Sequence, residues 1–282
     1  MNPRDPVLPQ DELALPAARE TWRSRTGDMA ADYVPTMLTV VAGIALWQLA
    51  YLVIDIPKYI LPSPYAIVVR MNESFAMLNA HSWVTLKEIV LGFAGGVLLG
   101  VVFSLLITQS RLLSKTLYTL IIASQVVPKV AIAPLLVVWF GYGMLPKVLV
   151  TMLLAFFPVV ISGVTGLLAV SPDTVNVMRS VAASRWQIFS KVMFQNSLPY
   201  LFSGLKVAVT LAVVGAIVGE WVGSDAGLGY LIQIANSQID TELMFAAFSY
   251  LIVIGIVLFG LVALIERIAM PWHEPIDISA TL

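Results

Sequence analysis

Lys129 and Glu220 fall within or at the edge of otherwise apolar stretches, where an unpaired charge would be expensive to hold in hydrocarbon. Such a residue either lines a wet route for a polar solute, or is neutralised by an ion pair that locks a helix bundle, or snorkels to the headgroups. Ser124 and Gln125 stand about one helical turn before Lys129 and add hydrogen-bonding groups to the same face, which suits a wet cavity. Trp139, with Phe140 and Tyr142, and Trp221 after Glu220 offer aromatic surface, either to a flat solute or as anchors at the membrane interface. Other chemistry is thin. The chain has 0 Cys, which excludes disulfides and thiolate catalysis, and its 2 His, His81 and His273, lack a ligand-spaced partner. No glycine-rich approach to Gly-Lys-Ser or Gly-Lys-Thr exists that would cradle nucleotide phosphates. The expectation is a chain that is not catalytic by itself and holds neither a cofactor nor a metal.

The elements that must position these residues are membrane helices. Of 282 residues 59% are hydrophobic and 12% charged, mean hydropathy is +0.89, and the excess lies in apolar runs long enough to cross a bilayer. The fold class expected is all-α, a polytopic protein with six transmembrane helices: 34–54, 85–107, 117–140, 148–170, 205–222 and 244–265. Residues 1–33, rich in Pro and charge, read as an N-terminal tail, 34–270 as the transmembrane domain, and 271–282 as a C-terminal tail after Pro271. Between the first two spans, Pro57, Pro62 and Pro64 predict a surface-lying elbow, with Lys87 and Glu88 reaching the interface at the start of the second span. The third span should be broken, because it contains Pro128, Lys129 and Pro134.

Gly92, Gly96 and Gly100 repeat every four residues, as do Gly215, Gly219 and Gly223. Each set lies along one helical face, where a missing side chain admits close helix packing. Charge sets the orientation. With both termini cytoplasmic, 11 basic residues lie inside (Arg4, Arg19, Arg23, Arg25, Arg111, Lys115, Arg179, Arg185, Lys191, Lys206, Arg267). Only 4 lie outside (Lys58, Arg70, Lys87, Lys147). A formal net charge of -1 gives no support to nucleic-acid binding.

The longest inner connection, 171–204, reads SPDTVNVMRSVAASRWQIFSKVMFQNSLPYLFSG. Ser171 or Asp173 can cap a short helix, and Val177, Val181, Trp186, Phe189 and Val192 set apolar groups among Arg179, Arg185 and Lys191. The periodicity fits a lipid surface and a protein partner equally well.

From Leu61 to His273 the chain resembles the integral-membrane permease subunits of binding-protein-dependent ABC importers, in the nitrate, sulfonate, taurine and vitamin-precursor branch. The resemblance rests on LPSPYAI (61–67), TLKEIVLGFAGGVLLG (85–100), SQVVPKVAIAPLLVVWFGYG (124–143) and GAIVGEWVGSDAGLGYLI (215–232). It implies that the inner loop is a cytoplasmic coupling helix seated in a groove of an ATPase, with Arg179, Ala182, Ala183, Ser184, Arg185, Trp186, Phe189 and Lys191 as the coupling residues. The family's Glu-Ala-Ala group is replaced here by Asn176, Val177 and Met178, its glycine by Ala182, and a frequent proline by Gln195. Ala at 182 is costly if the backbone there is left-handed.

The resemblance further implies a second permease copy, two ATP-binding subunits carrying ATP and magnesium, an extracytoplasmic solute-binding protein, and a bacterial inner-membrane location. The wording of SQVVPKVAIAP and IERIAMPWH points toward a heterocyclic, vitamin-precursor solute. Two other functions fit six spans: an ion-coupled secondary transporter using Lys129 or Glu220, and a non-transporting membrane scaffold.

Overall fold

The computed structural model describes residues 25–54 and 57–272; the remainder of the expected tails, 1–24 and 273–282, and residues 55–56 lie outside the described residues. Twelve α-helices follow in order: α1 (Arg25–Ile54), α2 (Pro64–Glu73), α3 (Phe75–Thr108), α4 (Arg111–Leu113), α5 (Thr119–Ser124), α6 (Ala133–Phe140), α7 (Met144–Leu168), α8 (Pro172–Ser180), α9 (Arg185–Ile188), α10 (Phe194–Gly223), α11 (Leu228–Ser237) and α12 (Thr241–Ala269). A π-helical turn joins α4 to α5, a second joins α9 to α10, and a 3₁₀ turn, Lys129–Ile132, leads into α6. No strand occurs among the described residues.

The first compact unit, 1–56, is represented by α1, whose Val34–Ile54 segment is apolar over 21 residues. The second unit, 57–282, is organised on α7. At 25 residues α7 is about 37 Å long, and it lies between α3 and α10. Both faces of that sandwich are made by missing side chains. A Cβ on Gly96 would fall 2.8 Å from Ala155 Cβ and 2.9 Å from the Met152 carbonyl. On Gly100 it would fall 2.7 Å from Val159. From the other side, a Cβ on Gly215 would meet Thr151 Cα at 2.7 Å, and one on Gly219 would meet Lys147 Cα at 2.9 Å. Thr151 is thus touched by Gly92 and Gly215 at once. The shared core is correspondingly small-grained: Ile89, Ala155, Val159, Ala208, Ala212 and Ala216. In lipid, where apolar burial gives little drive, such van der Waals closeness is what holds helices together.

Helix ends follow local chemistry. Ser63 accepts from the Ala66 N–H at 3.1 Å and Pro64 opens α2; Asp240 accepts from the Leu243 N–H at 3.0 Å and starts α12. The elbow after α1 therefore contains a true helix, and Arg70 of α2 pairs with Asp240 at 2.6 Å to pin it beside α12. Asp240 raises the Arg70 guanidinium above its usual value, mainly through this hydrogen bond.

Several expected boundaries shift. The helix that carries the second span begins at Phe75, ahead of the expected Thr85, and within its polar first turns the Ser82 hydroxyl donates to Leu78 O. The fifth begins well before Leu205. Helix runs from Arg185 to Gly223, and Pro199 is accommodated within it. Among the described residues five helices are long and apolar enough to cross a membrane. Among them the bent pair Ser114–Ser124 and Lys129–Phe140, which meet at 83°, makes a sixth if the two halves are taken as one span. That break is where Pro128 removes an N–H and Pro134 opens α6.

Candidate functional site

At the end of the bundle where α7 begins and α10 finishes, α11 points its N-terminus into the protein. Four N–H groups there need acceptors. Glu220 of α10 supplies two: Oε2 accepts from the Gly229 N–H at 2.5 Å and from Tyr230 N–H at 3.3 Å. Thr85 Oγ1 of α3 accepts from Leu228 N–H at 2.8 Å, and its hydroxyl lies 2.6 Å from Glu220 Oε1. His81 Nδ1 accepts from Gly227 N–H at 2.9 Å, which leaves the ring proton on Nε2, and the ring stacks on Tyr230. A carboxylate at a helix N-terminus also meets the positive end of the helix dipole. Gly227, at φ +117, is required because a Cβ would fall inside the Glu220 carboxylate.

Directly beside this clamp Lys147 Nζ of α7 lies 2.6 Å from Glu88 Oε1 of α3 and donates to Ser224 Oγ at 2.8 Å. Glu88 and Glu220 are fully buried and Lys147 is 4% exposed. Two expectations are corrected here. Glu88 does not reach the interface, and Lys147 is not a loop cation, since each neutralises the other inside the bundle. A helix-period signal existed for this: Thr85 and Glu88 stand three apart, and Gly92 continues the same face. The sequence reading missed all of these partners because nothing local says that residues 85, 88, 147 and 220 converge.

Lys129 and Glu220 are not brought together. Lys129 sits at the start of the 3₁₀ turn with its ammonium 4.4 Å from the centroid of the Phe157 ring, while Glu220 has both oxygens engaged in the clamp. Around the break, Gln125 and Trp139 are exposed, and the half-buried Ser124 donates to Ile121 O at 2.7 Å. Gly141, at φ +78, ends α6.

At the opposite end of α7 the chain makes α8, a turn, and α9. Ser171 caps α8, accepting from the Thr174 N–H at 3.3 Å. Ser184 and Gln187 form a reciprocal capping box at the start of α9. Between them Ala182 has φ +57, so the residue that stands where the resemblance implies a glycine holds a left-handed backbone. Arg179, Arg185 and Lys191 are exposed, Ala183 is half-buried, and Trp186 is 72% exposed with its ring 5.7 Å from that of Phe189. An aromatic surface of this kind at a turn between capped short helices is unusual for a bare linker.

A small-residue helical sandwich, a broken apolar helix pair and a capped helix–turn–helix at one end define an all-α polytopic membrane protein. The family described as binding-protein-dependent transport system inner membrane component matches residues 96–269. A probable ABC transporter permease protein of Haemophilus influenzae is 39% identical over 223 residues, covering 79% of this chain and 91% of that one. The formylaminopyrimidine transport permease protein of Halalkalibacterium halodurans is 36% identical, covering 81% and 92%. The riboflavin transport system permease protein of Chloroflexus aurantiacus is 33% identical, covering 84% and 89%. An inward-facing structure of the MetNI methionine ABC transporter shares the fold with a TM-score of 0.59 at 19% identity, covering 69% of this chain and 97% of that one. The chain belongs to the binding-protein-dependent transport system inner membrane component family. It is a transmembrane permease subunit of an ABC importer.

Proposed function

We propose that two copies of this permease form the membrane route of an importer for a small heterocyclic solute of vitamin-precursor type, handed over by an extracytoplasmic binding protein. The observation that carries the solute class is the 36% and 33% identity to permeases named for formylaminopyrimidine and riboflavin, each across more than four-fifths of this chain. Both termini and the α8–α9 segment are cytoplasmic in this reading, in keeping with the inner excess of basic residues. Two separate ATPase subunits, holding ATP and magnesium, receive Trp186 and Phe189 in a surface groove, flanked by Arg179, Arg185 and Lys191. Nucleotide-driven closure of those partners then moves α8 and α9, and the continuous helix from Arg185 to Gly223 carries the displacement through the membrane.

The broken span, with Ser124, Gln125, Lys129 and Trp139, lines the route. Its bend leaves backbone groups without helical partners, which suits a wet cavity better than lipid. Glu220 serves the bundle instead, because Thr85 and the α11 N–H groups occupy its oxygens.

Ligand screening of the cognate binding protein, followed by uptake in proteoliposomes with the ATPase subunits, tests the reading. ATP-dependent accumulation of a pyrimidine or related heterocycle supports it. Uptake of sulfonates alone overturns the solute class, and uptake driven by an ion gradient without ATPase subunits overturns the importer mechanism.

A further inference from the structure

Glu88 and Glu220 meet inside the bundle with a single cation beside them, and we infer that this pair holds one bound proton. The two side chains come from different helices, are fully buried, and are neighbours: Thr85, one turn before Glu88 on α3, lies 2.6 Å from Glu220 Oε1, and Lys147 reaches both Glu88 and Ser224 at the end of α10. Two ionised carboxylates are acceptors only, so neither can donate to the other. Glu220 already receives Thr85, Gly229 and Tyr230. Glu88 Oε1 faces Lys147, but no donor reaches Glu88 Oε2. An orphaned, wholly buried carboxylate oxygen beside a second buried carboxylate is satisfied by an O–H···O bridge.

Charge counting leads to the same place. The groups facing the pair are Glu88, Thr85 and His81 from α3, Lys147 from α7, Glu220 and Ser224 at the end of α10, and Tyr230 with the helix N–H groups from α11. His81 accepts an N–H at Nδ1 and is therefore neutral, which leaves Lys147 as the one cation among them. Two carboxylates and one ammonium carry a net negative charge that the interior of a membrane bundle does not tolerate. One proton taken up from solvent brings the cluster to zero, and no bond of the chain is broken. The proton belongs to the pair, not to either residue. It ties α3 to α10 beside the clamp on α11, so it is part of what holds this end of the bundle closed. This inference does not depend on the solute proposed above.

Infrared spectroscopy of the full chain in lipid, with exchange from H2O to D2O at neutral pH, reads the proton directly. The wild type should show the C=O stretch of a buried carboxylic acid, shifted on deuteration. Glu88→Gln should lose that band while remaining folded, since the amide supplies the bridging hydrogen and Lys147 balances Glu220. Lys147→Met should keep the band and increase its area, because two carboxyl groups then lack a cation. Thermal stability gives a second readout. The folded chain binds one proton more than the unfolded chain, so the wild-type midpoint should fall as pH rises into the alkaline range, and Glu88→Gln should be flat there. A wild type without a protonated-carboxyl band at neutral pH overturns the proposal, as does a band that persists unchanged in Glu88→Gln.

Discussion

Gly227→Ala attacks the clamp on α11 at its tightest point. Gly227 has φ +117, and a Cβ there would occupy the space of the Glu220 carboxyl group. Holding a non-glycine residue in that backbone region costs roughly 1–3 kcal/mol. The carboxylate must also move away from Thr85 or from the α11 N–H groups, and each charge-assisted hydrogen bond lost is about 1.5–3 kcal/mol. The expected total is about 2.5–6 kcal/mol, read from denaturant midpoints of the purified permease in mixed micelles. A double-mutant cycle separates the two parts. In a Glu220→Ala background the obstruction is gone and only the backbone strain remains, so the two substitutions should be less than additive by about 1.5–3 kcal/mol. Additivity within about 0.5 kcal/mol would refute the reasoning, because Gly227 would then be needed for its backbone alone.

Gly96→Ala should lose about 1–3 kcal/mol, since its Cβ would press on Ala155 and the Met152 carbonyl, whereas Gly260→Ala, with nothing within 4 Å, should be neutral or slightly stabilising; the same unfolding assay compares them. Ala182→Gly should raise stability by up to about 1 kcal/mol by relieving the left-handed position at φ +57, and a loss of stability would show that the turn does not need that geometry. Lys129→Met should insert and assemble normally but lower solute flux in proteoliposomes; unchanged flux would remove Lys129 from the route.

How much of this was readable in the chain differs by element. The four-residue glycine spacing on α3 and α10 is visible in the chain, because small-residue periodicity and close helix contact express the same geometry, but that α7 lies between the two faces is not. The break in the third span was readable from Pro128 and Pro134, though not its 83° angle, which depends on what the two halves pack against. The buried cluster was not readable. Lys147 follows a Gly-rich turn and Glu88 follows Lys87, so both look like interface charges until α7 and α3 are laid side by side. Glu220 was singled out for its apolar setting, yet its partners stand 135 residues upstream at Thr85 and 9 and 10 residues downstream at Gly229 and Tyr230. Helix ends moved for a related reason: Pro199 and Ser82 look like breakers locally, and the bundle keeps both helical.

Because the chain has 0 Cys, a single introduced thiol reports without background on the central claim that α8 and α9 couple this permease to its ATPase. Trp186→Cys, at a position 72% exposed in this chain alone, should cross-link to a thiol on the ATPase groove in the assembled importer. It should also react with a membrane-impermeant maleimide only from the cytoplasmic side. Labelling from the extracytoplasmic side, or ATP-driven uptake that persists with no cross-link formed anywhere along 171–193, would contradict the account.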